Sequence, residues 1–226
     1  MALILSLETS TDVCSVALHD NGDLLKELSL HEPKAHAARL APLIDELLRS
    51  QQTKISKLQA VAVSSGPGSY TGLRIGTSTA KGICFALNIP LIAVPTLELL
   101  AFSVKSANLS DLLCPMIDAR RMEVYCAVYD NRLELIRPVQ ALEVDESSFS
   151  ELLNDKRVLF FGNGAAKSVA ALNSPNAVLV ENITPSASKL GIVATQKFKD
   201  RKFEDLVDFA PFYLKEFEAK KAKSLF

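Results

Sequence analysis

Residues 7–21, LETSTDVCSVALHDN, open on an apolar run that ends in an acid, pass through a short polar turn, and continue as apolar and β-branched positions. That order predicts a strand, a tight turn and a second strand, with a further turn at DNG leading into a third. The same order returns at 117–131, IDARRMEVYCAVYDN, and the two stretches align without a gap. Glu8 meets Asp118, Ala17 meets Ala127, Asp20 meets Asp130 and Asn21 meets Asn131. After the first copy, the pattern predicts a helix near 34–50, a strand at 59–65, a glycine loop, a helix over about 70–87, a strand at 91–94 and a helix from 96. After the second it predicts a helix near 145–154, a strand at 157–161, a GNG loop with a helix to about 172, a strand at 177–180 and a helix at 186–199.

An internal duplication accounts for this repeated order. Two βββαβα halves facing each other across a cleft resemble the actin, Hsp70 and sugar-kinase (ASKHA) α/β fold. The polar run KSANLSD at 105–111 is the expected hinge. It divides the chain into an N-terminal lobe, 1–108, which carries docking helices, and a smaller C-terminal lobe with a basic tail, 109–226.

Two helices carry more apolar surface than one core needs. On the first, His36, Leu40, Leu43, Ile44 and Leu47 share a side, and the apolar arc spans roughly 160° against the ~100° that covers a single core. Pro42 predicts a kink, or a later start with Pro42 in the first turn. On the second, the only charges are Arg74 and Lys81, while Leu73, Gly76, Thr77, Ala80 and Cys84 form a side of small and apolar residues. A patch of this size left open is more than a monomer usually tolerates, so both faces are expected to dock a partner.

The candidate chemistry lies at the strand ends. Glu8 and Asp118 are facing carboxylates that suit a hydrated divalent metal against a nucleotide phosphate, or acids tied to nearby backbone donors. Thr9, Ser10 and Thr11 offer donors to an anion, whereas the matching turn Ala119-Arg120-Arg121 places two guanidinium groups there, expected to fill the cleft. Gly66, Gly68 and Gly72 form a loop before a helix, with Ser69 and Thr71 as N-caps, a reasonable anion site. No G-K-[ST] follows, as a P-loop requires. The phosphate site is therefore expected to be a vestige: Glu8, Thr9, Ser10, Gly66, Gly68, Ser69 and Asp118.

His19, His31 and His36 do not form a metal-ligating pair, since His31 and His36 are five apart and share no helix face. No nucleophile motif is evident. Cys14, Cys84, Cys114 and Cys126 lie far apart and read as reduced thiols, which predicts a cytoplasmic protein. The start, MALILSL, breaks at Glu8, too soon for a signal peptide, and the apolar stretch 72–94 contains Arg74, Lys81 and Asn88, so no membrane span is expected. A net charge of −1 argues against coating nucleic acid through bulk charge. Lys215, Lys220, Lys221 and Lys223 in the tail suit RNA, an acidic partner or plain solvation.

Taken together, LETSTDVCSVAL, GPGSYTGLRIGTSTAKGICFALNIPLIAVPTLELLA, DARRMEVY and PFYLKEF resemble the TsaB family, also called YeaZ. The resemblance is close over residues 1–130 and loose beyond. It implies a non-catalytic protein required for the threonylcarbamoyl group on adenosine 37 of tRNAs that read codons beginning with A. It implies an actin-like fold, and pairing through the first two helices with the catalytic subunit TsaD, joined by the ATPase TsaE. Contact with tRNA would be indirect, and ATP or ADP would bind only in the complex. Carried over by position, the docking surface is His36, Leu40, Leu43, Ile44 and Leu47 with Leu73, Gly76, Thr77, Ala80 and Cys84, and the same surface suits a homodimer when the chain is alone. The competing readings are an active ATP-dependent phosphotransferase and a metallopeptidase-like protein.

Overall fold

The computed structural model describes residues 2–32, 35–104 and 108–215. Part of the 105–111 run, and Lys220, Lys221 and Lys223 of the tail, lie outside the described residues.

The first half begins with three antiparallel strands, β1 (Leu3–Glu8), β2 (Cys14–Asp20) and β3 (Asp23–Leu30). Asn21 and Gly22 turn the chain between β2 and β3 with φ of 53° and 99°, the left-handed pair that a tight hairpin requires. Helix α1 (His36–Ser50), strand β4 (Ala60–Ser64), helix α2 (Tyr70–Leu87), strand β5 (Leu91–Val94) and helix α3 (Thr96–Phe102) follow. The sheet order is β3-β2-β1-β4-β5, with β4 parallel to β1.

The second half repeats this plan. Strands β6 (Leu112–Asp118), β7 (Glu123–Tyr129) and β8 (Leu135–Glu143) precede α4 (Ser150–Leu153), β9 (Val158–Phe161), α5 (Ala165–Ala171), β10 (Ala177–Val180) and α6 (Ala187–Lys199). Its sheet, read as β8-β7-β6-β9-β10, matches the first strand for strand, and β9 is parallel to β6 as β4 is to β1. The fold is a duplicated, ASKHA-like α/β architecture.

Helix α1 starts at His36, ahead of Pro42, and keeps the proline on its exposed side. The helix expected near 145–154 shrinks to Ser150–Leu153. Asp145 accepts hydrogen bonds from the Ser147 amide at 3.0 Å and from the Ser147 and Ser148 hydroxyls at 2.9 and 2.8 Å. Such local bonds compete with helix formation.

One face of the first sheet packs against α1 and α2 through Leu5, Leu7, Val16, Leu18, Val61 and Val63. The ten residues assigned to docking are a correction at this point. His36, Leu40, Leu43, Ile44 and Leu47, and Leu73, Gly76, Thr77, Ala80 and Cys84, are all buried inside this one chain. The wide apolar arc has an internal cause: α1 and α2 lie side by side on one sheet, so each must cover both the strands and its neighbour.

The division at 108/109 separates the sequence but not the molecule. Helix α6 crosses back and covers the other face of the first sheet, where Leu190 and Ala194 meet Ile4, Ala60, Ala62, Ile92 and Val94. The segment after it continues along the first half: Glu204 pairs with Leu91, Lys81 donates to the carbonyls of Val207 and Phe209 at 3.2 and 2.9 Å, and Tyr213 stacks on Tyr70 with ring centroids 4.7 Å apart.

Candidate functional site

The structure brings the Glu8 turn and the glycine loop together, and the two fill one another. A β-carbon on Gly68 would strike the carbonyl oxygen of Ser10, and one on Gly72 would strike that of Thr9. The Ser69 amide donates to the Ser10 carbonyl at 2.7 Å. The Thr9 hydroxyl donates to the Gly72 carbonyl at 2.8 Å. The Gly72 amide is taken by the Ser69 hydroxyl at 3.3 Å, the N-cap bond of α2. On the other side, Gly66 lies under the carbonyl of Phe212, whose amide donates to Ser65 at 2.7 Å. The glycines therefore give room to this chain's own backbone.

Glu8, Thr9 and Ser10 are fully buried. Glu8 Oε1 accepts from the Ser10 amide at 2.6 Å and the Ser10 hydroxyl at 2.5 Å. Burial pushes its carboxyl above the usual value of 4.5, and the bonds from Ser10, with Ser64 close by, only partly restore the charged form. Oε2 and the Ser64 hydroxyl both lack a hydrogen-bond partner.

The second half answers with the same device and different side chains. Gly162 and Gly164 pack against the backbone of Met116, Ile117 and Asp118, and Asn163 accepts the Asp118 amide at 2.9 Å. Asp118 is half-exposed, and Lys167 binds it at 2.5 Å while also donating to the carbonyls of Arg121 and Glu123. An ammonium thus stands against the carboxylate that a metal would have to share. Among the described residues no group of three His, Cys, Asp or Glu side chains could hold a metal ion.

Arg120 and Arg121 do not fill the cleft. Both are exposed, with φ of 76° and 51°. The matching turn of the first half, Thr9-Ser10-Thr11, is buried, so the two copies of the repeat differ most at this point.

What α1 and α2 leave outside is a second set of residues, missed from periodicity alone. Thr71, Arg74, Ser78, Gly82, Phe85 and Ala86 are exposed on α2, and Ala37, Ala38, Ala41 and Pro42 on α1. Phe85 is 82% exposed. A β-carbon on Gly82 would meet nothing within 4 Å. No helix among the described residues is long and apolar enough to cross a membrane.

Comparison with known proteins gives consistent matches. The family model for TsaD, tRNA N6-adenosine threonylcarbamoyltransferase, matches residues 30–225. The tRNA threonylcarbamoyladenosine biosynthesis protein TsaB of Bacillus subtilis is 34% identical over 165 residues, 71% of this chain and 70% of that protein. The TsaB protein of Escherichia coli is 36% identical over 126 residues, 56% of this chain; the match spans about half of that relative, 54%. The solved structure of YeaZ from Pseudomonas aeruginosa superimposes with a TM-score of 0.82 at 28% identity, covering 95% of this chain and 100% of that one.

Proposed function

The chain belongs to the TsaB family, also called YeaZ, and on that footing we propose that it is a non-catalytic subunit in the formation of the threonylcarbamoyl group on adenosine of tRNA. It docks on a TsaD-like subunit that carries out the transfer, and a TsaE-like ATPase joins the pair in the cytoplasm. Nucleotide would bind in the complex and not in this chain alone. Without its partner, the same face pairs two copies of the chain.

The observation that carries this reading is Phe85, 82% exposed on a helix side it shares with Arg74 and with the small residues Thr71, Ser78, Gly82 and Ala86. Small residues let a partner helix approach closely, and the ring supplies an anchor of the kind that dominates interfaces. Burying it would contribute ~1.5–3 kcal/mol before the costs of association. The loops support the lack of chemistry. Glu8 is sealed against Ser10, Asp118 is held by Lys167, and both glycine loops close on their own hairpins. A phosphotransferase of this fold would need those groups free.

The test is co-expression with the TsaD-like subunit and co-purification. Gly82→Arg and Phe85→Glu should each lose the partner without a fall in melting temperature, because neither site is packed. Retention of the partner by both variants would overturn the docking face. Leu43→Glu or Ala80→Glu is no test of docking, since both side chains belong to the core.

A further inference from the structure

We propose that the Arg120–Arg121 turn is a direct contact for the phosphate backbone of an RNA; the choice of RNA over other polyanions rests on the tRNA-modifying role proposed above. The turn is short and tightly closed. Arg120 donates its amide to Asp118 Oδ1 at 2.9 Å, and Glu123 donates to the Arg120 carbonyl at 3.1 Å. Two consecutive arginines here adopt φ of 76° and 51°, a region that glycine and asparagine enter far more readily. The β2–β3 hairpin of the same protein uses Asn21 and Gly22 for that purpose. Backbone needs therefore do not explain arginine at either position.

The charge around the turn is partly paired. Lys167 binds Asp118 at 2.5 Å, and Lys215 binds both oxygens of Glu123 at 2.7 Å, while the exposed Glu143 lies opposite Glu123 in the β7–β8 register. Among the described residues, neither Arg120 nor Arg121 has an ion-pair partner in turn. Each side chain is exposed and presents a guanidinium fork of the kind that suits phosphate oxygens.

The Glu123–Lys215 pair adds a second element. It holds Lys215 at Glu123, three positions from Arg120. Tyr213, stacked on Tyr70, and Arg74, placed over the Tyr70 ring at 4.6 Å, extend this corner across to α2. The surface is open, with Arg120 and Arg121 both exposed. A free nucleotide needs enclosure, whereas a polyanion needs only fixed charges.

The experiment is fluorescence anisotropy of the full-length protein with a labelled tRNA transcript over a range of potassium chloride. Arg120→Gln with Arg121→Gln should weaken binding about fivefold or more at ~0.1 M salt. It should also flatten the slope of log K against log salt by about 1–2, since each phosphate contact contributes ~0.7–0.9. Arg120→Asn with Arg121→Gly, which suits the left-handed backbone, should behave alike, so misfolding cannot explain the loss. Arg132→Gln, at the far end of β7, should bind as wild type. Unchanged affinity and slope in both double variants would overturn the proposal. So would an absence of tRNA binding by wild type at 50 mM salt, or equal competition by ATP or polyglutamate. Co-purification of the same variants with the TsaD-like subunit separates the two ideas: a retained partner with unaltered RNA binding defeats only the turn, whereas a wild type without the partner defeats the docking role.

Discussion

Gly68 lies directly under the carbonyl of Ser10, so near that a methyl group could not be fitted between them. The next amide, Ser69, donates to the same oxygen at 2.7 Å. A loop composed like a phosphate cradle is thus the lock that joins α2 to the β1–β2 turn.

Gly68→Ala should therefore destabilise the fold by about 2–3 kcal/mol, because the added carbon meets backbone and not a movable side chain. At about 2–4 °C per kcal/mol for a chain of this size, thermal melts would register a drop of several degrees. An unchanged melting temperature would show that the loop is looser than its contacts imply.

The inner and outer sides of α1 and α2 should respond in opposite ways. Leu47 is fully buried, and Leu47→Ala should cost about 2–5 kcal/mol in denaturant unfolding. Phe85→Ala, on the exposed side, should stay within about 0.5 kcal/mol of wild type. Gly82→Ala should raise stability by about 0.5–1 kcal/mol through helix propensity alone.

Glu8 makes stability depend on pH with a definite sign. Its folded-state carboxyl is pushed above the ordinary 4.5 by burial, so the protonated form is favoured inside the fold. The stability it contributes is complete below pH 4.5 and declines as pH rises through the higher folded value. Wild type should therefore lose ground to Glu8→Gln as urea midpoints are compared from pH 4.5 upward. A constant difference across that range would show that the carboxyl titrates as it does in the unfolded chain.

His19 works in the opposite sense. Its ring is fully buried against Gly191 of α6, and neither ring nitrogen has a hydrogen-bond partner. Burial lowers its basicity below the ordinary 6.5, with the Ser188 main chain and Glu27 opposing. The neutral ring is compatible with folding above pH 6.5, and stability falls as pH drops below that value. His19→Leu should flatten this acid limb, and hydrogen exchange should show α6 amides opening sooner at pH 5.5 than at 7.5 in wild type but not in the variant.

Much of the architecture was legible because it repeats. Strands 91–94 and 177–180 match their expected bounds, and Glu8 and Asp118 end corresponding strands. The helix faces were misjudged for a physical reason. A broad apolar arc reports that Leu43 and Ile44 will be covered, but not whether a neighbouring helix or another protein covers them. The partner of the glycine loop was equally hidden, since the Ser69–Ser10 contact joins residues far apart in sequence. Lys167 gave no signal at all: only the folded chain carries its ammonium to Asp118 and to the carbonyls of Arg121 and Glu123.

The return of α6 across the first sheet has a bearing on how the protein is made. Ile4, Ala60 and Ile92 are translated before Leu190 and Ala194, which shield them and follow far along the chain. Until then a greasy sheet face stands in water, the condition under which nascent chains aggregate or recruit chaperones. The first sheet is consequently made before the second yet completed only after it.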